Sequence, residues 1–398
     1  MNKKNIADLA IFGGTPVFDE KLHVGRPNIG NQERLFERLH DILDRKWLTN
    51  DGIYVKEFER KVAELIGVKH CIAVSSGTSG LEVAIRALGL RGEVIVPSFT
   101  FVATVHALQW LGIRPVFCDV DRASHDIDPK NVEKLITSNT TGIMGVHLWG
   151  RPCEVQRLEE IAHKNNVKLL FDAAHAFGAS CKGQMIGNFG NAEVFSFHAT
   201  KFLNCLEGGA IATNDDELAS KIRLMKNFGF SGYDNVISVG TNAKLDEFSA
   251  AMGLTGLESM DEFIAINQRN YKQYEKESAS LPGITLTKYD EREKTNYQYI
   301  VFEIDHRATK LTRDQLVNIL HAENVLVKRY YYPGCHRCEP YQSDVSYSGL
   351  KMPNTEYLTQ SLMNLPTGTA IGGEQINTIC QIIRFAIQHG EEIKKKVS

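Results

Sequence analysis

Two residues of this 398-residue chain have the chemical types and the setting for one kind of covalent catalysis. Lys201 and Asp172 each follow a strand-like run and are set among small residues. A lysine amine can condense with an aldehyde, and a carboxylate can hold a pyridine nitrogen protonated. A lone lysine is usually a solvated surface charge, so the prediction depends on the pair. Together the two residues predict a site for pyridoxal 5′-phosphate (PLP), which becomes pyridoxamine 5′-phosphate during amino transfer.

A segment of small hydroxyl residues has the composition of a phosphate site. Residues 75–80 follow a predicted strand and open a predicted helix, so that Thr78 and Ser79 would face an anion at the helix N-terminus. The same residue types also cap helices, and that alternative stays open. The chain has neither a GxGxxG nor a GxxxxGK[ST] motif, which counts against a dinucleotide or P-loop site.

Two aromatic side chains are candidates for contact with the pyridine ring. Phe101 ends the segment Pro97–Phe101, and its ring could stack on one face of the cofactor. His175 lies three residues after Asp172 and could cover the ring or bond its phenolic oxygen. Each also has a simpler interpretation, because a lone phenylalanine is often a core residue and a lone histidine is often a half-buried polar group.

The composition excludes several classes of function. With 45 basic and 48 acidic residues, the net charge of −3 offers no electrostatic basis for binding nucleic acid or an anionic membrane. The most apolar window, residues 94–117, contains Pro97, His106 and Arg114 and does not resemble a membrane span. Eight scattered cysteines predict reduced core thiols, and we expect a cytoplasmic protein. Cys335 and Cys338 form the one CxxC motif without a second ligand pair, so no metal site is predicted.

The order of apolar segments predicts an α/β fold. Short β-rich runs alternate with helical stretches of about ten to fifteen residues, which indicates a mostly parallel sheet with helices on both faces. In such sheets ligands bind at the carboxyl ends of the strands, where Thr78, Phe101 and Asp172 are expected. The predicted strands are Cys71–Val74, Glu93–Val96, Pro115–Cys118, Gly142–His147, Lys168–Phe171, Ala192–Phe197 and Ala210–Thr213.

The chain is long enough for two domains. We expect a large PLP-binding domain over residues 1–265, which includes the N-terminal segment, and a smaller α+β domain over residues 266–398. A long helical pattern from Lys244 to about Ser278 would connect the two. In the smaller unit the predicted strands are Tyr297–Ile304 and Val325–Tyr332, and the predicted helices are Arg313–Glu323 and Gly373–His389.

Several motifs in order along nearly the whole chain resemble those of one family. The chain is similar to the DegT/StrS-type nucleotide-sugar aminotransferases, a branch of the PLP-dependent fold-type I (aspartate aminotransferase-like) enzymes. The matching segments are Ser76–Thr78, Pro97–Phe101, Gly145–Cys153, Phe171–Ala176, Ser196–Lys201 with Glu207–Gly209, and Gly240–Lys244.

The resemblance implies a role for each candidate residue. Lys201 would bond covalently to the cofactor and later move the proton, while Asp172 would pair with the pyridine nitrogen and Phe101 and His175 would enclose the ring. Phosphate contacts would come from hydroxyl and amide side chains, namely Thr78, Ser79, Ser196 and, from a second subunit, Asn242. An active site completed across an interface implies at least a homodimer.

The resemblance also implies the substrates. L-Glutamate would donate an amino group to a nucleotide-linked keto-sugar, best matched by dTDP-4-keto-6-deoxyglucose, which would become dTDP-4-amino-4,6-dideoxyglucose. Loop residues that could line the sugar cleft are Arg26, Trp47, Thr49, Lys244, Tyr331 and His336. No arginine can be singled out as the clamp for the donor's carboxylate.

Three alternatives remain open at this point. A 3-aminotransferase or a PLP-dependent sugar dehydratase of the same family would share most of these motifs, although dehydratases of this fold can carry histidine where Lys201 stands. A non-catalytic regulatory protein with the PLP fold belongs to another class, and it would bind the cofactor without amino transfer.

Overall fold

The computed structural model describes residues 3–396, which form helices and strands in alternation. The strands are β1 (Leu22–His23), β2 (His70–Val74), β3 (Glu93–Pro97), β4 (Arg114–Cys118), β5 (Thr140–Val146), β6 (Lys168–Asp172), β7 (Ser180–Cys181), β8 (Gln184–Met185), β9 (Ala192–Ser196), β10 (Gly209–Thr213), β11 (Ile284–Leu286), β12 (Ile300–Ile304), β13 (Val325–Leu326) and β14 (Leu362–Leu365).

The α-helices range in length from 4 to 19 residues. The α-helices are α1 (Gln32–Arg45), α2 (Ile53–Ile66), α3 (Gly77–Ala87), α4 (Val102–Trp110), α5 (Pro129–Leu135), α6 (Val155–Asn165), α7 (Asp216–Met225), α8 (Glu247–Glu258), α9 (Met260–Ser278), α10 (His306–Thr309), α11 (Arg313–Ala322), α12 (Glu339–Gln342), α13 (Pro353–Ser361), α14 (Gly373–Gln388) and α15 (Gly390–Lys396). Short 3₁₀ turns cover Ile6–Asp8, Ala10–Phe12, Leu148–Gly150, Cys335–Arg337 and Val345–Tyr347.

A seven-stranded sheet forms the centre of the fold, in the order β2-β10-β9-β6-β5-β3-β4. Strand β10 runs antiparallel to both of its neighbours, and the other pairings are parallel. Both faces are covered: one apolar cluster joins the sheet to α2, α6 and α8, and another joins it to α3, α4 and α7. The predicted α/β class with a mostly parallel sheet is therefore confirmed.

The parallel connections bring several loops to one edge of the sheet. Strand β6 ends at Asp172 and pairs in parallel with β9, whose end leads to the loop that carries Lys201. Strand β3 leads to Phe101, and β2 leads to the start of α3 through Ser76. The carboxyl ends of parallel strands are the usual ligand side of such sheets. The four segments singled out in the sequence thus converge on this side.

The C-terminal unit has its own sheet and core. Strands β11, β12 and β14 form an antiparallel sheet that packs in one apolar cluster with α11 and α14. Ile6 and Leu9 belong to the same cluster, although the sequence placed the N-terminal segment with the large domain. The domain limits at residues 265 and 266 stay a prediction, and they fall inside α9.

Three predicted elements differ from the structure. The long helical pattern is two helices, α8 and α9, which are separated at Ser259. The strand predicted from Tyr297 begins at Ile300, and the one predicted over Val325–Tyr332 ends at Leu326. In the latter segment, Tyr332 N donates to Arg329 O and Gly334 N donates to Tyr331 O, so the chain turns. Local turn formation overrides the strand preference of the tyrosines.

Two kinds of feature are absent from residues 3–396. None of the helices there combines the length and apolar character needed to cross a bilayer. Over the same range, no group of three or more His, Cys, Asp or Glu side chains has a geometry that could hold a metal ion. The eight cysteines are all free thiols, and all but Cys338 are buried.

Candidate active site

A cavity of about 420 Å³ opens at the carboxyl edge of the central sheet. Its wall includes eight of the residues that the sequence singled out: Arg26, Thr78, Phe101, Asp172, His175, Ser196, Lys201 and Tyr331. Six others are not on this wall within one chain: Trp47, Thr49, Ser79, Asn242, Lys244 and His336.

Lys201 faces the cavity with its amine. Its backbone is held in a turn, where Lys201 N donates to His198 O at 2.8 Å. Its Nζ lies 3.5 Å from the hydroxyl of Tyr299, which is itself buried. Burial lowers the pKa of the amine to about 8, with Asp172 opposing the shift and Lys328 adding to it. A substantial fraction of the amine is therefore neutral, and nucleophilic, near physiological pH.

This shifted pKa leads to a first prediction. The rate at which PLP attaches to the cofactor-free protein should rise about tenfold per pH unit and level off near pH 8, because the neutral amine is the reacting form. The rate would be followed by the change in cofactor absorbance across a pH series. A rise that continued to pH 10.5, the ordinary value for lysine, would contradict the burial argument.

Asp172 is a buried carboxylate held by two donors. Its Oδ2 accepts from Thr104 Oγ1 at 2.8 Å, and its Oδ1 accepts from Ala174 N at 3.1 Å. Burial raises its pKa above the ordinary value, while the bonds from Thr104 and Ala174 and the charge of Lys201 oppose that rise. A cation placed against this carboxylate would be strongly favoured, because it would relieve the cost of burying the charge.

His175 lies between the cavity and a layer of aromatic rings. Its Nε2 is 3.2 Å from the hydroxyl of Tyr331, and its ring centroid is 6.1 Å from that of Trp149 with nearly parallel planes. Burial lowers its pKa well below the usual value, so the imidazole is neutral. The buried Nδ1 has no hydrogen-bond partner among residues 3–396. On the other side, the ring of Phe101 is 54% exposed and free to contact a ligand.

The N-terminus of α3 supplies an anion-binding end to the cavity. Ser76 caps the helix, since its side chain accepts from Ser79 N, and the Ser79 hydroxyl accepts from Ser76 N in return. The Ser79 hydroxyl is thus used within the cap, whereas Thr78 and Ser196 line the cavity. Gly77 lies against Ser196, where an added Cβ would be 3.0 Å from the serine Cβ. Such close packing brings the helix end up to the sheet edge.

The candidate residues that do not line the cavity contact other parts of the chain. His336 is buried, with its Nδ1 2.5 Å from Ser98 Oγ and its Nε2 3.3 Å from Glu356. Lys244 Nζ donates to Asn242 Oδ1 at 2.6 Å and lies 4.7 Å from the centre of the Phe228 ring.

Trp47 and Thr49 belong to an exposed loop near that region. Leu48 O in this loop accepts from Glu247 N at 3.0 Å. The sugar-binding role of His336, Lys244, Trp47 and Thr49 stays a prediction, as does that of Arg26 and Tyr331 on the cavity wall. The phosphate contact of Asn242 also stays a prediction.

Three residues near Lys201 and Asp172 were not predicted from the sequence. Thr104 fixes the carboxylate of Asp172, Tyr299 approaches the Lys201 amine, and Lys328 lines the cavity with a second lysine. Tyr299 lies inside the predicted strand Tyr297–Ile304, and no feature of that segment pointed to the amine of Lys201. Nothing in the sequence around Lys328 distinguishes it from a surface lysine.

The surroundings of Lys201 and Asp172 match the requirements of PLP. The orphaned Nδ1 of His175, the carboxylate of Asp172 and the N-terminus of α3 offer a polar contact, a pairing group and an anion site around one cavity. With a partly neutral amine on the same wall, this arrangement defines the class of PLP-dependent α/β enzymes.

Comparison with known proteins gives the family. Residues 30–384 match the model of the DegT/DnrJ/EryC1/StrS aminotransferase family, and the chain belongs to this family. Its members are PLP-dependent sugar aminotransferases. The chain is 34% identical over 368 residues to dTDP-4-amino-4,6-dideoxy-D-glucose transaminase of Shigella dysenteriae, covering 92% of this chain and 99% of the relative.

Solved structures agree with this assignment. The crystal structure of DesI in the presence of its TDP-sugar product matches with a TM-score of 0.94 and 45% identity, covering 98% of this chain and 99% of DesI. Helicobacter pylori PseC, an aminotransferase of pseudoaminic acid biosynthesis, matches with a TM-score of 0.86 and 26% identity over 93% of this chain and all of PseC (100%). The predicted PLP-dependent fold and the enzyme class are thereby confirmed.

Proposed function

We propose that this protein transfers an amino group from L-glutamate to the 4-keto carbon of dTDP-4-keto-6-deoxyglucose, giving dTDP-4-amino-4,6-dideoxyglucose. The observation that carries the proposal is the presence of Lys201 and Asp172 on one cavity wall. The choice of sugar is supported by the similarity to the Shigella dTDP-4-amino-4,6-dideoxy-D-glucose transaminase and to DesI, whose structure was determined in the presence of its TDP-sugar product.

The cofactor would supply an aldehyde, or an amine, and a ring that absorbs the charge of a deprotonated carbon. Asp172 would hold a proton at the ring nitrogen. Lys201 would release the cofactor and then move a proton at the reacting carbon of each substrate, and its lowered pKa suits both directions of transfer. Tyr299, with its pKa raised well above the usual value by burial, stays protonated beside the amine.

The remaining cavity residues would orient the ring and its phosphate. His175 and Phe101 would cover the two faces, and His175 is held by Tyr331. Thr78, Ser79 and Ser196 would contribute at the helix N-terminus, although the Ser79 hydroxyl donates to Ser76 O at 3.0 Å and would have to turn its hydrogen away from that carbonyl. Thr78 and Ser196 therefore support the phosphate site more directly.

We also propose that two copies assemble so that Asn242 of one completes the site of the other. Large apolar side chains are exposed on two neighbouring segments: Trp47, Leu48, Ile53, Phe228, Phe230, Val236, Ile237 and Val239. Lys226 joins the segments through its 3.3 Å contact with Asp51. An apolar surface of this extent favours a protein interface. Light scattering, which gives the mass of the assembled particle, tests this part.

The eight free cysteines support a cytoplasmic location, where thiols stay reduced. Fractionation of cells that produce the protein would test this assignment.

The amino-transfer proposal is tested by the structure of the product. Purified protein, PLP and L-glutamate labelled with ¹⁵N would be incubated with dTDP-4-keto-6-deoxyglucose, and the sugar examined by NMR. We expect the label on C4 of the sugar and stoichiometric release of 2-oxoglutarate. Label on C3, loss of a hydroxyl group without transfer, or cofactor binding without reaction would contradict the proposal and point to the 3-aminotransferase, the dehydratase or the regulatory protein, respectively.

A further inference from the structure

The cavity contains a second lysine for which neither the fold nor the cofactor accounts. Lys328 lines the wall together with Lys201, and its Nζ lies 3.2 Å from the hydroxyl of Tyr330. Within residues 3–396, no carboxylate lies within ion-pair distance of Lys328. A cation that faces a cavity without a counterion favours an anionic ligand there.

The backbone of Lys328 is held in place. Lys328 N donates to Asn364 O at 3.0 Å, and Asn364 N donates to Lys328 O at 2.8 Å. The ammonium group also lies 5.5 Å from the centre of the Tyr330 ring. A cation presented from a backbone position that is fixed by two hydrogen bonds can bind a ligand group with less loss of conformational freedom than one on a mobile loop.

We propose that Lys328 binds the α-carboxylate of the amino donor. This inference rests on the proposed function, because it assumes an α-amino acid as donor. In such a donor the carboxylate is attached to the reacting carbon, so its binding group must lie next to the amine that moves the proton. Lys328 meets this condition because it lines the same cavity as Lys201. Its charge also contributes to the lowered pKa of Lys201.

The diphosphate of the nucleotide sugar is a less suitable ligand for Lys328. That diphosphate is attached to C1, across the sugar ring from the reacting C4, and it must extend away from Lys201. Arg26 is better placed for it, since this side chain is exposed at the rim of the cavity. The Arg26 loop is held by Asn28, whose Nδ2 donates to Phe202 O at 2.9 Å.

The two halves of the reaction provide an internal control. L-Glutamate and dTDP-4-amino-4,6-dideoxyglucose would each donate an amine to the cofactor. Only glutamate carries a carboxylate on the reacting carbon. For Lys328→Met we expect kcat/KM of the glutamate half-reaction to fall about 10–100-fold, as for loss of one charge-assisted hydrogen bond. The amino-sugar half-reaction should change less than about threefold. Lys328→Arg, which keeps the charge, should recover part of the loss.

A binding measurement without turnover separates this role from a general defect. Glutarate, a dicarboxylate without an amine, would be titrated calorimetrically into the PLP-loaded protein. We expect Lys328→Met to weaken glutarate binding by a similar factor, whereas Lys164→Met, at the exposed end of α6, should leave it unchanged.

Three results would overturn the assignment: equal loss in both half-reactions, unchanged glutarate binding in Lys328→Met, or loss of glutarate binding in Arg26→Met instead. Failure of the wild-type protein to react with glutamate would count against the proposed function. Normal wild-type reaction with an unaffected Lys328→Met variant would count against this inference alone.

Discussion

Replacing Lys201 by alanine is expected to lower the rate of amino transfer by a factor of about 10²–10⁴, the usual loss when a positioned acid–base group is removed. Burial lowers the pKa of this amine to about 8, which suits it to transfer a proton near neutral pH. The rate would be measured as 2-oxoglutarate released from glutamate and keto-sugar.

Two further variants make this result specific. Lys201→Arg keeps a positive charge but cannot condense with an aldehyde, so we expect it to be as impaired as the alanine variant. Borohydride should fix the cofactor covalently to the wild-type protein and not to either variant. Lys221→Ala, on the exposed side of α7, should retain full activity. Wild-type turnover by Lys201→Ala would refute the proposed role of the amine.

Replacing Asp172 by asparagine is expected to have the second-largest effect. The neutral amide keeps an acceptor for Ala174 N but removes the charge that would pair with the ring nitrogen. Breaking a buried ion pair costs about 3–5 kcal/mol, which corresponds to a loss of about 10²–10³ or more in activity. The absorbance spectrum of the bound cofactor should shift as its nitrogen loses the proton.

Without cofactor, the substitution Asp172→Asn is not expected to lower the free energy of unfolding, although it lowers activity. Burial raises the pKa of Asp172, so ionisation of this group disfavours the folded state, and its contribution to stability falls as pH rises through the ordinary carboxyl range. At about pH 8 the cofactor-free Asp172→Asn protein should melt no lower than wild type, while PLP should stabilise it less. A large drop in the melting temperature would indicate a structural role instead.

Asp126 offers a matched control for this variant. It is also buried, and burial raises its pKa to about 8, but it does not line the cavity. Because Asp126 is largely protonated at neutral pH, Asp126→Asn should change activity by less than about threefold. If the two asparagine variants lost activity equally, the effect of Asp172→Asn would be attributable to burial and not to the site.

The elements that carry Lys201 and Asp172 could be predicted because their signals are local. Each residue follows a continuous apolar strand, and parallel strands must end on the same side of a sheet. The order of β6 and β9 as neighbours then brings the two loops together. Strand direction was therefore enough to predict the side of the sheet, whereas the neighbouring order of β6 and β9 is seen only in the structure.

Lys328 and Tyr299 could not be assigned in this way. Both come from the C-terminal unit, and their position at the cavity depends on how that unit packs against the central sheet. The segment Val325–Tyr332 was wrongly predicted to be one strand, because its composition favours strands while its backbone turns after Leu326. Tertiary packing determines where such residues lie, and the periodicity of a single sequence carries no signal for that packing.

The N-terminal segment has a consequence for biosynthesis. Ile6 and Leu9 are core residues of the C-terminal unit, and the buried carboxylate of Glu323 accepts hydrogen bonds from Ala10 N and Val17 N. The chain separation between Ala10 and Glu323 is 313 residues. At about 5–20 residues per second, a ribosome needs roughly 15–60 s to cover it. For that interval Ile6 and Leu9 lack the native partners that the C-terminal unit supplies.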